Sequence, residues 1–208
     1  MIRIWGRASS SNAQKVFWCL AELGVDYERV DTGGKFGGLD APQYLALNPN
    51  GRVPTLEDRG TGFVLWESNA IVRYLCARHG QGSLLPGTPE RQAQADMWME
   101  WQQTTLRSAI LPLFRSFMRR GNGATDAAAI EAAREDTIAL FGLIDRHLAQ
   151  HAYMAGDAFS MGDIPLGVWA YRYTLLVPDG PDFPNLARWR RLLEERSAYR
   201  EHVMLPPE

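Results

Sequence analysis

Two short runs carry residue types suited to holding a charged sulfur and the head of an amino acid. Ser9-Ser10-Ser11-Asn12 stands directly before a stretch of helical spacing. Serine and asparagine in that place cap a helix by satisfying the free N–H groups of its first turn. The same N–H groups and the helix dipole favour negative charge, and a hydroxyl among them can donate a hydrogen bond to a thiolate. Nothing marks a serine nucleophile, because no G-x-S-x-G occurs and the run has no His or Asp partner nearby. The second run, Trp66-Glu67-Ser68-Asn69-Ala70, opens another helical stretch. It reads as a cap with Glu67 complementing the dipole. It equally offers the Ser68 hydroxyl and N–H to a carboxylate while Glu67 pairs an ammonium.

Between these runs lies Asn48-Pro49-Asn50-Gly51, a strong turn signal that leads into Val53-Pro54-Thr55-Leu56. Proline cannot donate to a sheet ladder, so Pro54 belongs at a strand start or on an edge. The backbone of Val53 is then available to an extended peptide; a plain surface turn before an edge strand is the other reading. Arg52 and Lys35 are cations near that edge, either ligand contacts or solvated. Ser160 and Asp163 form a capping box in which Asp replaces Glu, with Phe159 and Ile164 as its staple, and this reads as structural. His79, His147, His151 and His202 show no metal spacing with Cys19 or Cys76, so no metal is expected.

The elements that must position these residues follow from periodicity. Ile2 to Trp5 reads as a strand, Ala13 to Leu23 as a helix closed by Gly24, and Tyr27 to Asp31 as a second strand. Thr32 to Gly38 is a glycine-rich loop without a phosphate-binding spacing. A short helix at Pro42 to Leu47, strands at Val53 to Glu57 and Phe63 to Leu65, and a helix at Glu67 to Arg78 complete βαβαββα. Gly80 to Pro89 is a break in composition. The remainder is helical: Glu90 to Arg120 kinked at Pro112 and ended by Gly121-Asn122-Gly123, then Thr125 to Gln150 with a buried stripe (Ile130, Ala133, Thr137, Phe141, Ile144, Leu148), Met161 to Val177, Asn185 to Glu195 and Ala198 to Val203. The predicted architecture is an α/β domain over 1–80, a linker over 81–88 and an all-α domain over 89–208.

Composition removes several function classes. The 208 residues are 46% hydrophobic and 22% charged with net charge −2, so no general attraction to nucleic acid or an anionic membrane is expected. No apolar run reaches membrane-spanning length, and the first residues turn polar too soon for a signal peptide. Cys19 and Cys76 read as reduced thiols of a cytosolic protein, with a lone disulfide between them as the other reading.

Taken together, S-S-S-N-A-Q-K-V, N-P-N-G-R-V-P-T-L, L-W-E-S-N-A-I-V-R-Y-L and F-S-M-G-D-I-P-L-G resemble the cytosolic glutathione transferase family, in order and across the whole chain. The resemblance implies a thioredoxin-like domain joined to a helical one, in a cytoplasmic homodimer that serves detoxification. It implies Ser10, six residues before Val16, as the hydroxyl on the glutathione sulfur, with Asn12 used near the sulfur in some bacterial members. It assigns Val53, before a cis Pro54, to the cysteinyl backbone, Glu67 and Ser68 to the γ-glutamyl end, and Arg52 to the glycyl carboxylate, with Lys35 a weaker candidate. The Ser9-Ser10-Ser11 triplet leaves the register open by one residue. The chain lacks the N-terminal tyrosine of the mammalian-type classes, a cysteine at Ser10, and the S-S-C run of the isomerase-like class.

Thiol ionisation states the task. A thiol with a pKa near 8.5 is only about 3% thiolate at pH 7, and lowering that value by about two units requires roughly 2.7 kcal/mol. A hydroxyl hydrogen bond to the anion supplies about 1.5–3 kcal/mol and the helix N-terminus a further fraction, so no general base is needed. The implied reaction is conjugation of glutathione, the co-substrate, to a small hydrophobic electrophile met by helical-domain residues such as Trp101, Thr105 or Arg107; no cofactor is expected. The alternatives are glutathione-dependent disulfide or peroxide reduction, or a non-catalytic glutathione-binding protein of the same fold.

Overall fold

The computed structural model describes residues 1–118 and 126–206. The chain divides into two compact units, Met1–Leu85 with Ser197–Glu208, and Pro86–Arg196.

The first unit contains β1 (Ile2–Trp5), α1 (Ser11–Leu23), β2 (Tyr27–Val30), a 3-10 turn (Gly34–Phe36), α2 (Pro42–Leu45), β3 (Thr55–Asp58), β4 (Phe63–Trp66) and α3 (Ser68–His79), in the predicted βαβαββα order. The strands lie in the order β2-β1-β3-β4. The β1–β2 pair is parallel, while β3 runs antiparallel to both β1 and β4. Alternation explains the burial of β1, where Ile2 and Ile4 face the core. Arg3, on the other face, pairs with Glu28 and Glu57 of the neighbouring strands at 3.0 and 3.4 Å.

Helix α1 starts where the Ser10 Oγ accepts from the Ala13 N–H and stops at Gly24, whose φ of 64° suits glycine. Its apolar face (Val16, Phe17, Leu20) is fully buried and packs against α3, where Ile71, Val72 and Leu75 are also buried. Cys19 and Cys76 lie in this contact as free thiols, sulfur to sulfur 3.8 Å. The periodicity puts Ala198 to Val203 at the end of the helical domain, but the structure packs α9 (Ser197–His202) on α1 of the first unit. Tyr199 is fully buried there, its ring 4.8 Å from that of Trp18. A six-residue helix is not stable alone and goes where its large side chain finds a site.

The second unit holds α4 (Pro89–Trp101), a π-turn (Gln102–Leu106), α5 (Arg107–Met118), α6 (Ala127–Leu148), α7 (Asp163–Leu176) and α8 (Pro184–Glu194). The break in the long helix predicted from Glu90 therefore falls at Gln102–Leu106, and α5 runs on through Pro112. Its predicted end at Gly121-Asn122-Gly123 lies outside the described residues. Helix α6 is capped by Asp126, which accepts from the Ala128 and Ala129 N–H groups. Its stripe is buried at Ala133, Thr137, Phe141, Ile144 and Leu148, with Ile130 half-buried. Helix α7 is apolar on nearly all sides, and ten of its fourteen residues are buried, so it forms the centre of the unit.

Candidate functional site

The sheet register gathers the predicted site residues. Trp5 at the end of β1 is level with Val30 at the end of β2 and with Thr55 at the start of β3; Thr55 is level with Trp66 at the end of β4. Every connection that leaves or enters at this end carries candidates: Ser10 and Asn12 after β1, Lys35 after β2, Arg52, Val53 and Pro54 before β3, and Glu67 and Ser68 after β4. Gly6 shows how closely they meet. A Cβ there would lie 3.0 Å from the Ala13 Cβ and 3.8 Å from the Val53 Cβ, so the first turn of α1 and Val53 converge on a bare backbone.

Ser10 is the N-cap of α1, with Ser11 and Asn12 its first two helical residues. The Ser10 Oγ accepts from the Ala13 N–H at 3.4 Å, a long bond that leaves the hydroxyl proton unused. The side chain of Asn12, also half-exposed, makes no hydrogen bond with the described residues.

The turn before β3 is held from inside. The Tyr44 hydroxyl donates to the Arg52 carbonyl at 2.6 Å and pairs with the Thr55 Oγ1 at 2.9 Å. Asn48 Nδ2 donates to the same carbonyl at 2.8 Å, and Asn48 Oδ1 accepts from the Asn50 N–H at 3.0 Å. Burial pushes the Tyr44 hydroxyl's pKa up, against its hydrogen bonds with Thr55 and Asn48. The Val53–Pro54 peptide is cis, in line with the expectation from the sequence. Strand β3 begins only at Thr55, so neither the N–H nor the C=O of Val53 is paired with the described residues.

At the start of α3, Glu67 is exposed and takes φ 71°, ψ 115°, the only positive φ among described non-glycine residues. Such a conformation costs on the order of 1–3 kcal/mol and is concentrated at functional sites. No side chain caps this helix, and the Ser68 N–H has no partner among the described residues. An uncapped first turn is a ready anion site. Ser68 is only 3% exposed, and beneath it lies a group that motif reading missed. Lys15 of α1 is fully buried, its Nζ 3.1 Å from the Asn69 Oδ1 and 3.5 Å from the Ser68 Oγ. The available signal was a lysine set directly before the buried Val16-Phe17 pair of an amphipathic helix. A buried ammonium adds positive charge under an anion-accepting N-terminus.

Arg52 and Lys35 remain exposed at the rim. The Lys35 Nζ stands 5.5 Å from the Phe36 ring centre. Its loop is tied back to the first strand connection, where the Arg7 side chain lies against the Gly33-Gly34 backbone.

Asp163 is a structural hub of the second unit. Its carboxylate accepts from the Met154 and Ser160 N–H groups, the Ser160 hydroxyl and the Trp189 indole N–H, at 2.9, 3.0, 3.3 and 2.9 Å. The Ser160 N–H bond is the predicted capping-box contact. Burial pushes this carboxyl up to about 6, and the four donors limit the rise.

Residues 9–78 match the family model for the glutathione S-transferase N-terminal domain, and residues 127–192 the one for the C-terminal domain. The chain is 41% identical over 206 residues to Glutathione S-transferase GstB of Escherichia coli strain K12, covering 99% of each protein. The chain belongs to the glutathione S-transferase family. Its two units are thus the family's thioredoxin-like amino-terminal domain and its helical carboxy-terminal domain. The transferase is also similar to a structure of the theta class glutathione S-transferase from Xanthomonas axonopodis pv. citri with glutathione bound. There the TM-score is 0.93 and the identity 43%, covering 100% of this chain and 99% of the other. Glutathione S-transferase 3 of Zea mays is 31% identical over 217 residues, with 99% of this chain and 96% of the other covered. Among the described residues no helix is long and apolar enough to cross a membrane.

Proposed function

We propose that this transferase conjugates the thiolate of glutathione to small hydrophobic electrophiles, with the sulfur held by the Ser10 hydroxyl. One observation carries the reading: hydrogen-bonding groups are left open at a single end of the sheet, namely the Ser10 O–H, the Val53 backbone and the Ser68 N–H. Their chemistry suits the parts of the tripeptide in turn. The γ-glutamyl carboxylate takes the Ser68 N–H and hydroxyl above Lys15, and its ammonium takes the Glu67 carboxylate. The cysteinyl backbone pairs with Val53 before Pro54, while Arg52, with Lys35 as second candidate, meets the glycyl carboxylate. The sulfur then faces the N-terminus of α1, where the hydroxyl and the dipole both favour the anion. Trp101, Thr105 and Arg107, at or beside the π-turn of the helical unit, are assigned to the electrophile; π-turns are frequent at functional sites. The reading includes a cytoplasmic homodimer that detoxifies such electrophiles, without a cofactor.

The test is a spectroscopic titration of bound glutathione by thiolate absorbance. The wild-type thiol is expected to ionise about two units below its free value, and Ser10→Ala to return it most of the way. An unchanged pKa in Ser10→Ala removes Ser10 from the role. The unpartnered Asn12 side chain then favours the second reading, disulfide or peroxide reduction, for which Asn12→Ala should abolish the pKa depression and the reductase activity together.

A further inference from the structure

Arg7 is a cation at the ligand end of the sheet that no part of glutathione claims. It lies in the connection from β1 to α1, three residues before Ser10, and is half-buried. Its guanidinium makes no hydrogen bond or ion pair with the described residues. Taking such a group partly out of water without an anion costs free energy that a bound anion recovers.

The guanidinium has a built seat. The Gly6 N–H donates to the Val30 carbonyl at 2.9 Å and the Ser10 N–H to the Arg7 carbonyl at 3.2 Å, which fixes the backbone on both sides of Arg7. The side chain then lies along Gly33-Gly34, where the Gly33 N–H donates to the Gly37 carbonyl at 2.7 Å. A Cβ at Gly33 would stand 3.1 Å from the Arg7 Nη1, and one at Gly34 2.9 Å from its Nε. Both glycines also hold a positive φ, 81° and 57°. Bare backbone therefore admits the guanidinium, and a group seated in this way loses little freedom when it takes an anion.

The strand order indicates which part of a ligand it meets. Along β4-β3-β1-β2, Ser68 follows β4, Val53 precedes β3, Ser10 follows β1, and Gly33-Gly34 follow β2. The γ-glutamyl head, the cysteinyl backbone and the sulfur are assigned to the first three in turn. Arg7 leaves β1 but crosses to the connection after β2, on the side of Ser10 away from Val53 and Ser68. A compound that meets the sulfur from that side brings its own substituents to the guanidinium, whereas Arg52, before β3, is placed for the glycyl carboxylate. The guanidinium fork matches a planar oxyanion through two parallel N–H bonds.

We propose that Arg7 determines specificity by selecting electrophiles that carry a carboxylate on an apolar body. It holds that carboxylate while Ser10 holds the attacking sulfur, so the inference rests on the glutathione reading of the site.

Steady-state conjugation of glutathione to 4-fluoro-3-nitrobenzoate and to 4-fluoro-3-nitrobenzamide tests this. In both, the thiolate sulfur bonds to the ring carbon that carries fluorine, and fluoride leaves with the electron pair. The ratio of kcat/KM, acid over amide, cancels intrinsic reactivity when a variant is compared with wild type. Arg7→Gln should lower this ratio at least tenfold, chiefly through KM for the acid. Arg7→Lys, which keeps the charge but not the fork, should lower it about threefold. Glutathione affinity by calorimetry should stay within about fivefold of wild type in Arg7→Gln; a larger fall puts the guanidinium on the glycyl carboxylate and overturns the proposal. An unchanged ratio overturns it too, as does failure of wild type to turn over the acid while the bound thiol keeps a depressed pKa. A wild-type thiol pKa that is not depressed overturns the glutathione reading itself. Should Arg7→Gln lose its fold by circular dichroism, the ratio in Arg7→Lys decides alone.

Discussion

The starts of α3 and α7 present opposite solutions to the same local problem. Both Ser68 and Asp163 are buried polar residues at the first position of a helix. Around Asp163 every carboxylate lone pair in reach is used, by two backbone N–H groups, a hydroxyl and an indole N–H. Around Ser68 the helix has no side-chain cap, the preceding residue is held at a positive φ, and a lysine is buried below. Buried polar groups are normally satisfied, and the open Ser68 N–H is the exception on which the proposed binding role rests. The difference separates a place whose polar groups are spent on the fold from the place proposed to receive glutathione.

Breaking the closed side should have the largest effect. Asp163→Ala leaves three N–H donors without their acceptor in the protein interior. At about 1–3 kcal/mol for each such group, the loss should be on the order of 4 kcal/mol, and the melting temperature should fall by roughly 10 °C. A calorimetric loss below about 1 kcal/mol would show that the hub is not structural.

The open side should respond in binding instead. Ser68→Ala should weaken glutathione about 10- to 100-fold by calorimetry, while the urea midpoint moves little. Lys15→Met should weaken binding in the same direction, since it removes the charge beneath the anion position. If either variant unfolds at much lower urea yet binds normally once folded, the contrast between the two helix starts is wrong.

A smaller and sharper effect concerns pH. The Asp163 carboxyl is raised from 3.8 to about 6 by burial. Between those values the folded state holds a proton that the unfolded state has lost, so this residue's contribution to stability falls as pH rises through that window. Asp163→Asn removes the titration. Its deficit relative to wild type should therefore be largest near pH 4 and shrink by roughly 1–3 kcal/mol toward pH 7 in urea melts. A deficit that stays constant from pH 4 to 7 rules out this linkage.

The smallest effect is expected at Glu67. Glycine tolerates φ 71° without penalty, so Glu67→Gly should leave stability unchanged or raise it by up to about 1 kcal/mol. The same change removes the partner proposed for the ligand ammonium and should weaken glutathione binding. A clear loss of stability would mean that the Glu67 side chain serves the fold.

The order of elements, both helix-start runs and the turn at Asn48 to Gly51 were readable because each depends on chemistry within a few residues. Caps, turn residues and proline carry their conformational preferences with them, whereas the cis bond before Pro54 was expected only through the family resemblance. Other features had no local signature. Lys15 is marked only by its place beside the apolar Val16-Phe17 pair, which does not say that α3 will cover it, and nothing in Gln102–Leu106 announces a π-turn. Tyr44 and Asn48 are ordinary turn neighbours until their polar atoms converge on the Arg52 carbonyl.

Thus the start of α3 as the proposed ligand-binding end, with Glu67 and Ser68 at its head, was already an expectation from residue types and spacing. Which of its groups stay open was decided elsewhere. Pairing of β3 with β1 and β4 brings Thr55, just after Val53 and Pro54, level with Trp66, just before Glu67 and Ser68, and packing of α1 on α3 puts an ammonium below Ser68. Short-range preferences set what each segment can do. The long-range pairing of strands and the burial of one helix face against another set which polar atoms find partners, and no single segment contains that information.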